Sequence, residues 1–282
     1  MKISTEIQSA TRLVGKEKAV ELVAKAGFDA WDFSMFEMRD DRWSEDNLLL
    51  SAEYLSVARK LKQIGLDHGI TCNQSHAPFP SNSPHVRPYL QRAIECTAEA
   101  GGEICVIHPD NSASPEKNAE LYVELLPFAK DCGVKIATEN MWNWDDKLDQ
   151  SSFAACMTPE SFCAHLDAVN DDAFVACLDI GHAEMRGSNT SAVEMIHALG
   201  PKLQALHIHD NDQWKDRHEI PFSMQIDFAA VIRALKAIGY TGYLTLEADA
   251  YLHKYSSENA FEGVCNLAEA AKHLQRLWNE GE

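Results

Sequence analysis

The chain has no run of basic residues, no CxxC pair among its eight cysteines, and no apolar stretch near the ~20 residues that a bilayer crossing needs. Each absence removes a class of function. Lys and Arg number 25 against 43 Asp and Glu, a formal net charge of −18. Nothing therefore offers a stripe for a phosphate backbone, and nucleic acid is not an expected partner. No membrane partner is expected either. The cysteines lack metal-ligand spacing, and the opening MKISTEIQSATRLVGKEK has no apolar signal-type segment, so a reduced, cytoplasmic protein is expected. Pro/Gly/Ser-rich linkers and low-complexity tracts are also missing, which makes residues 1–282 one domain. With 45% hydrophobic and 24% charged residues, that domain is globular and can bury a large core.

What is present is alternation. Short β-rich runs at 2–5, 30–34, 70–76, 104–108, 135–139, 174–179, 203–209 and 243–247 are separated by segments of helical period. The helical segments are 16–26, 47–68, 86–100, 115–132, 159–169, 192–199, 227–238 and 259–278. In 227–238, Phe228, Val231, Ile232, Leu235 and Ile238 recur at i, i+3, i+4, i+7 spacing, and Gly239 supplies the stop. Eight strand-then-helix units in a chain of this length predict an α/β fold, a single-domain (β/α)8 TIM barrel, with a doubly wound open sheet as the weaker alternative. In such a barrel, reactive groups stand at the C-terminal strand ends, where eight loops surround one bowl.

Those ends are rich in His, Glu and Asp. The third strand runs into Ser75-His76-Ala77-Pro78, the fourth into His108-Pro109, the fifth into Glu139-Asn140 and the sixth into Asp179-Ile180-Gly181-His182. The seventh runs into His207-Ile208-His209-Asp210, followed by Asp216-Arg217-His218, and the eighth into Glu247. A single His at a strand end is an ordinary hydrogen-bonded loop residue, but acids and imidazoles converging from many strands are most simply held together by a divalent cation. With O and N donors and no thiolate, one Mn, Co, Zn or Mg ion is expected.

On these residues the chain resembles the xylose-isomerase-like barrel superfamily, which contains sugar isomerases and epimerases and also the endonuclease IV type of apurinic endonuclease. The resemblance implies that Glu139, Asp179, His207 and Glu247 hold the metal, and that His182, in the DIGH motif, touches a substrate hydroxyl. The segment DRHEIPFSMQIDF is similar to the GRHEPGxGxIxF of several isomerases, but Pro221-Phe222-Ser223-Met224 replaces Pro-Gly-x-Gly. Gln213 stands where some epimerases have a sugar-gripping Arg. Substrate preference is therefore not carried over. The endonuclease members imply three zinc ions, with further ligands at His76, His108, His182, Asp216 and His218, all of which are present. Against that alternative stand the acidic charge and the bulky Met141-Trp142-Asn143-Trp144 after Glu139. The same additional residues can serve instead to orient the metal ligands, and His209 is read as orienting or core.

The expected reaction is isomerisation or epimerisation of a sugar, sugar acid or cyclitol through a metal-stabilised enediolate, with Glu139 and Glu247 as the acid/base pair. A hydride shift, a lyase or dehydratase reaction, or a role as one subunit of a larger enzyme fit the same residues. Phe79, Trp142, Trp144 and Trp214 are candidate covers for apolar sugar faces. His76 and His108 are further substrate contacts, and Arg217 stands either against substrate or paired with neighbouring acids. No Gly-rich phosphate cradle follows the last two strands, which favours an unphosphorylated small molecule. Residues 35–43 are candidates for a lid or a homo-oligomer contact.

Overall fold

A computed structural model describes residues 1–42, 44 and 47–280. Trp43, at the end of the candidate lid, and residues 281–282 lie outside the described residues. Eight parallel strands form the barrel: β1 (Ile3–Glu6), β2 (Ala30–Ser34), β3 (Thr71–His76), β4 (Ile104–Val106), β5 (Lys135–Glu139), β8 (Phe174–Asp179), β9 (Leu203–His207) and β10 (Leu244–Leu246). They pair in the order β10-β1-β2-β3-β4-β5-β8-β9. Closure between β9 and β10 is made by a parallel bridge of Ile208 with Leu246, where Ile208 N donates to Thr245 O and Glu247 N to Ile208 O. A short antiparallel hairpin of β6 (Asn143–Asp145) and β7 (Gln150–Ser152) follows β5 directly.

The helices are α1 (Gln8–Val14), α2 (Lys16–Ala26), α3 (Tyr54–Asp67), α4 (Leu90–Ala100), α5 (Pro115–Asp131), α6 (Pro159–Val169), α7 (Ile180–Ala183), α8 (Ala192–Leu199), α9 (Phe228–Ala237) and α10 (Ala260–Glu280). Several begin on the signals their sequence carries. Ser114 before Pro115 accepts from Lys117 N, Thr158 before Pro159 accepts from Ser161 N, and Asp227 accepts from Ala230 N. Among the described residues no helix is long and apolar enough to cross a membrane.

The period-two geometry of the strands sorts their side chains. Phe174 and Leu178 of β8 and Leu206 of β9 join the large apolar layer beneath the helices, whereas Val106, Ala137, Val175, Cys177 and Ala205 fill the barrel interior as a separate cluster. The opposite interior wall is polar: Ser4 Oγ donates to Asn73 Oδ1 at 2.6 Å, and Asn73 Nδ2 to Thr245 Oγ1 at 3.1 Å. Continuing each inward series by one residue pair, from Ala137 to Glu139, Cys177 to Asp179, Ala205 to His207 and Thr245 to Glu247, brings four acid and imidazole side chains together at the mouth.

Candidate metal centre

That layer is compact. Ligand atoms of Glu139, Asp179, His207 and Glu247 all lie within 4.8 Å of one another, and all four residues are buried. Strand register accounts for much of this, since Asp179 and His207 are direct partners across β8 and β9. His207 Nδ1 is 2.9 Å from Glu139 Oε1 and 3.4 Å from Glu247 Oε2, so the two glutamates flank one imidazole nitrogen. Asp179 caps the short helix α7 by accepting from His182 N through Oδ1, and Asn140 fixes its backbone from both sides. Its Oδ2 is buried without a partner, as is His207 Nε2.

Two further groups extend this centre. On one side, His76 Nε2 and His108 Nε2 are 2.9 Å apart, and His108 Nε2 is 3.1 Å from Glu139 Oε2. On the other side Asp216 Oδ2 faces His218 Nε2 at 2.9 Å and His182 Nε2 at 3.3 Å, and accepts from Trp142 Nε1 at 3.2 Å. His209, which stacks on His218 with ring centroids 4.0 Å apart, joins Asp179 Oδ1 to this second group at 3.1 Å. Asp216 Oδ1 is buried without a hydrogen-bond partner, 3.4 Å from His209 Nε2.

Electrostatics match the crowding. Burial alone would raise the Glu139 carboxyl, but the His207 charge and hydrogen bonds from His108, His207 and His76 hold it well below the usual carboxylate range. Glu247 shifts the other way, raised by burial against the pull of His207 and further by the Glu139 charge. Burial opposes protonation of His182, yet Asp179 and Asp216 lift it to about 10, and His207 and His218 are also raised. His108 is lowered to about 4 by burial and by the neighbouring His76. Imidazolium charge thus balances the acids. A divalent cation suits the same place: the donors are oxygen and nitrogen with no thiolate among them, and Asp179 Oδ2 is an uncommitted buried acceptor.

Above this floor opens a cavity of about 560 Å³ lined by His76, Phe79, His108, Glu139, Trp142, His182, Asp216, His218 and Glu247, among others. Phe36 and Phe79 pack their rings 5.1 Å apart over His76, forming an apolar wall. Trp214 and Arg217 are not brought to this cavity. Trp214 lies against the Arg186 guanidinium at 4.3 Å, and Arg217 is exposed and paired with Asp212 at 2.6 Å, because the Asp212 turn closes on its own neighbours. Trp144 sits on the hairpin across from Ser151. In the candidate lid, Met35 and Met38 are buried, and among its described residues only Phe36 reaches the cavity.

Some lining residues escape sequence reasoning. Arg12 and Asp249, 3.7 Å apart, line the rim, as do Asn82 and Asp110. Asp32, buried inside the barrel 3.7 Å from His207 and not part of the cavity lining, escapes it as well. Its signal is an acid in the inward register between Trp31 and Phe33, which face the helices.

A closed parallel barrel with acids and imidazoles gathered at its C-terminal mouth is the architecture of a (β/α)8 protein. The chain belongs to the xylose isomerase-like TIM barrel family, whose model matches residues 20–277. It is 28% identical over 247 residues to an uncharacterized protein of Methanocaldococcus jannaschii, covering 81% of this chain and 78% of that one. Among solved structures it is similar to a D-tagatose 3-epimerase-like protein, with TM-score 0.73 and 23% identity over 100% of this chain and 99% of the other. It is also similar to the IOLI protein with a bound zinc atom, with TM-score 0.74 and 20% identity over 99% of both chains. A D-allulose 3-epimerase from Methylomonas sp. has TM-score 0.70 and 16% identity over 97% and 98%. At these identities the structural likeness establishes the fold.

Proposed function

We propose that this protein is a divalent-metal-dependent isomerase or epimerase that moves a proton at a carbon next to the carbonyl of a sugar, sugar acid or cyclitol. The observation that carries the reading is the convergence of Glu139, Asp179, His207 and Glu247 beneath a cavity of small-molecule size. The similarity to 3-epimerases of free ketoses and to a zinc-binding barrel supports the same chemistry. Glu139, Asp179, His207 and Glu247 would hold the cation, which supplies Lewis-acid acidification of the substrate C–H.

The rest falls to the chain. Glu139 and Glu247, flanking His207, are the groups that take a proton from carbon and return it. His182, fixed by Asn140 O at 2.8 Å through Nδ1 and by Asp216 through Nε2, presents a charged donor to a substrate hydroxyl. His108 is held neutral and can accept or donate on the opposite wall. Phe79 and Trp142 cover apolar sugar faces and exclude water. The test is solvent-deuterium incorporation at the carbon beside the carbonyl, measured over a panel of free ketoses, sugar acids and inososes with and without added Mn²⁺, Co²⁺, Zn²⁺ or Mg²⁺. Metal-dependent exchange into at least one substrate is expected; none across the panel refutes the assignment.

One observation favours a second reading. The groups around His76 and around Asp216 adjoin the central ligands on both sides, a layout able to hold three zinc ions and to act on a phosphodiester as endonuclease IV does. Trp142 bonded to Asp216 at the mouth and the net charge of −18 weigh against a DNA backbone there. About three zinc ions per chain together with cleavage of abasic DNA would favour this reading over the first.

A further inference from the structure

Asp32 is a buried acid with no evident structural use. It lies on β2, 1% exposed, with its side chain turned into the barrel while Trp31 and Phe33 on either side pack outward. Its Oδ1 receives only a long contact from Ser34 Oγ at 3.5 Å, and its Oδ2 has no hydrogen-bond partner. Among the described residues no Lys or Arg pairs with it. A carboxyl group buried in this way costs several kcal/mol unless something compensates it. Among the described residues, the one basic side chain it faces is the imidazole of His207, whose Nε2 is 3.7 Å from Asp32 Oδ2 and is itself buried without a hydrogen-bond partner. β2 and β9 are not neighbours in the sheet, since β10 and β1 stand between them, so this contact reaches across the barrel interior.

The two nitrogens of His207 therefore face different things. Nδ1 points at the Glu139 and Glu247 carboxylates, and Nε2 points down at Asp32. We propose that Asp32 is the positioning residue of the centre: it accepts the Nε2 proton of His207 and so fixes the ring with Nδ1 free to bind the cation. A ligating imidazole whose distal N–H is bonded to a carboxylate is locked in tautomer and orientation and is a more basic ligand. This inference rests on the cation reading given above, but its experiment does not depend on any substrate.

The experiment is cation affinity and ¹⁵N NMR on the full chain. Zn²⁺ binding to metal-free protein is titrated for wild type, Asp32→Asn and Asp32→Ala, with thermal melts of the metal-free proteins as the folding control. Loss of about 10–100-fold in affinity is expected for both variants, the alanine the weaker. In zinc-loaded wild type, His207 is expected to carry its proton on Nε2, in slow exchange with solvent, with Nδ1 shifted by the metal. The NMR result needs no variant, so a misfolded Asp32→Ala leaves the proposal testable. A proton on Nδ1 with Nε2 on zinc overturns it, as does Zn²⁺ affinity of Asp32→Asn within twofold of wild type. A wild-type chain that takes up no divalent cation overturns both this proposal and the reading beneath it, whereas uptake with unchanged affinity in Asp32→Asn overturns this one alone.

Discussion

Gly181, between the strand-end Asp179 and His182, is the position where a single methyl group tests the geometry of the centre. A Cβ placed there would lie 2.0 Å from His209 Cε1 and 2.4 Å from its Nε2, where ordinary contact begins near 3.4 Å. The ring has nowhere to go: it is 0% exposed, stacked on His218 at 4.0 Å and bonded through Nε2 to Asp179 Oδ1 at 3.1 Å. Gly181→Ala thus forces more than an ångström of ring movement. Overpacking of this kind costs about 1–3 kcal/mol, and losing the bond from His209 to the Asp179 carboxylate adds about 1.5–3 kcal/mol. Placing alanine instead of glycine in the turn of α7 returns up to about 1 kcal/mol. The net expectation is a loss of roughly 2–5 kcal/mol, or a melting temperature lower by about 3–8 °C in a chain of this size. Calorimetry on metal-free protein measures it, with His209→Ala and the double variant completing a cycle. Removing the imidazole makes room for the methyl, so the double variant should be at least ~1 kcal/mol more stable than the sum of the single losses. A Gly181→Ala protein melting within ~2 °C of wild type, or strict additivity in the cycle, would refute the packing argument.

Three other outcomes are expected. Glu139→Gln and Glu247→Gln should each lower proton exchange by at least ~100-fold while keeping the far-ultraviolet circular dichroism of the wild type; either variant at full activity contradicts its acid/base role. Glu6, whose carboxyl is pushed up to about 8 by burial and by Asp249, is protonated in the fold and ionised in the unfolded chain between its ordinary value and pH 8. Stability should therefore fall as pH rises through that window, by at most ~1.4 kcal/mol per pH unit from this group. Glu6→Gln should flatten that slope and melt above wild type at pH 8; an unchanged slope in urea titrations at pH 5 to 8 would contradict it. A divalent cation at 100 times its Kd should stabilise the protein by about 2.7 kcal/mol, reversibly with EDTA. Its affinity should weaken as pH falls, because His207 must give up a proton to bind it; a melt indifferent to cations at every pH from 6 to 8 would contradict this.

Much of the barrel is legible because its punctuation is local. Lys16–Ala26, Pro159–Val169 and Ala192–Leu199 begin and end where the sequence places them, since Gly27, Thr158, Ser191 and Asn170 supply caps by their own chemistry. The expected strands 30–34, 135–139 and 174–179 coincide with β2, β5 and β8, so Glu139 and Asp179 fall at strand ends as the alternation requires. Other features carry no such signal. Helix α1 is about two turns of mostly polar residues, and each strand of the hairpin is three residues long, too short to show a period. The expected helix 47–68 starts only at Tyr54, because Leu48–Leu50 form a separate 3-10 turn.

The candidate site is legible at the strand ends and not beyond them. His76, His108, His182, Asp216 and His218 are brought together at the mouth, because each lies on or just beyond a strand of the ring. Trp214 and Arg217 are drawn aside by Arg186 and Asp212, partners that pattern does not foretell. Asp32 lies inside the second strand rather than beyond its end, and only the three-dimensional crossing of the barrel brings it to His207.

The most direct test of the account is elemental analysis of the chain purified without chelator or polyhistidine tag, repeated on a variant with Asp179→Ala and His207→Ala together. The account expects about one divalent ion per wild-type chain and none in the variant, whereas a wild-type chain that neither carries a divalent ion nor takes one up would contradict it.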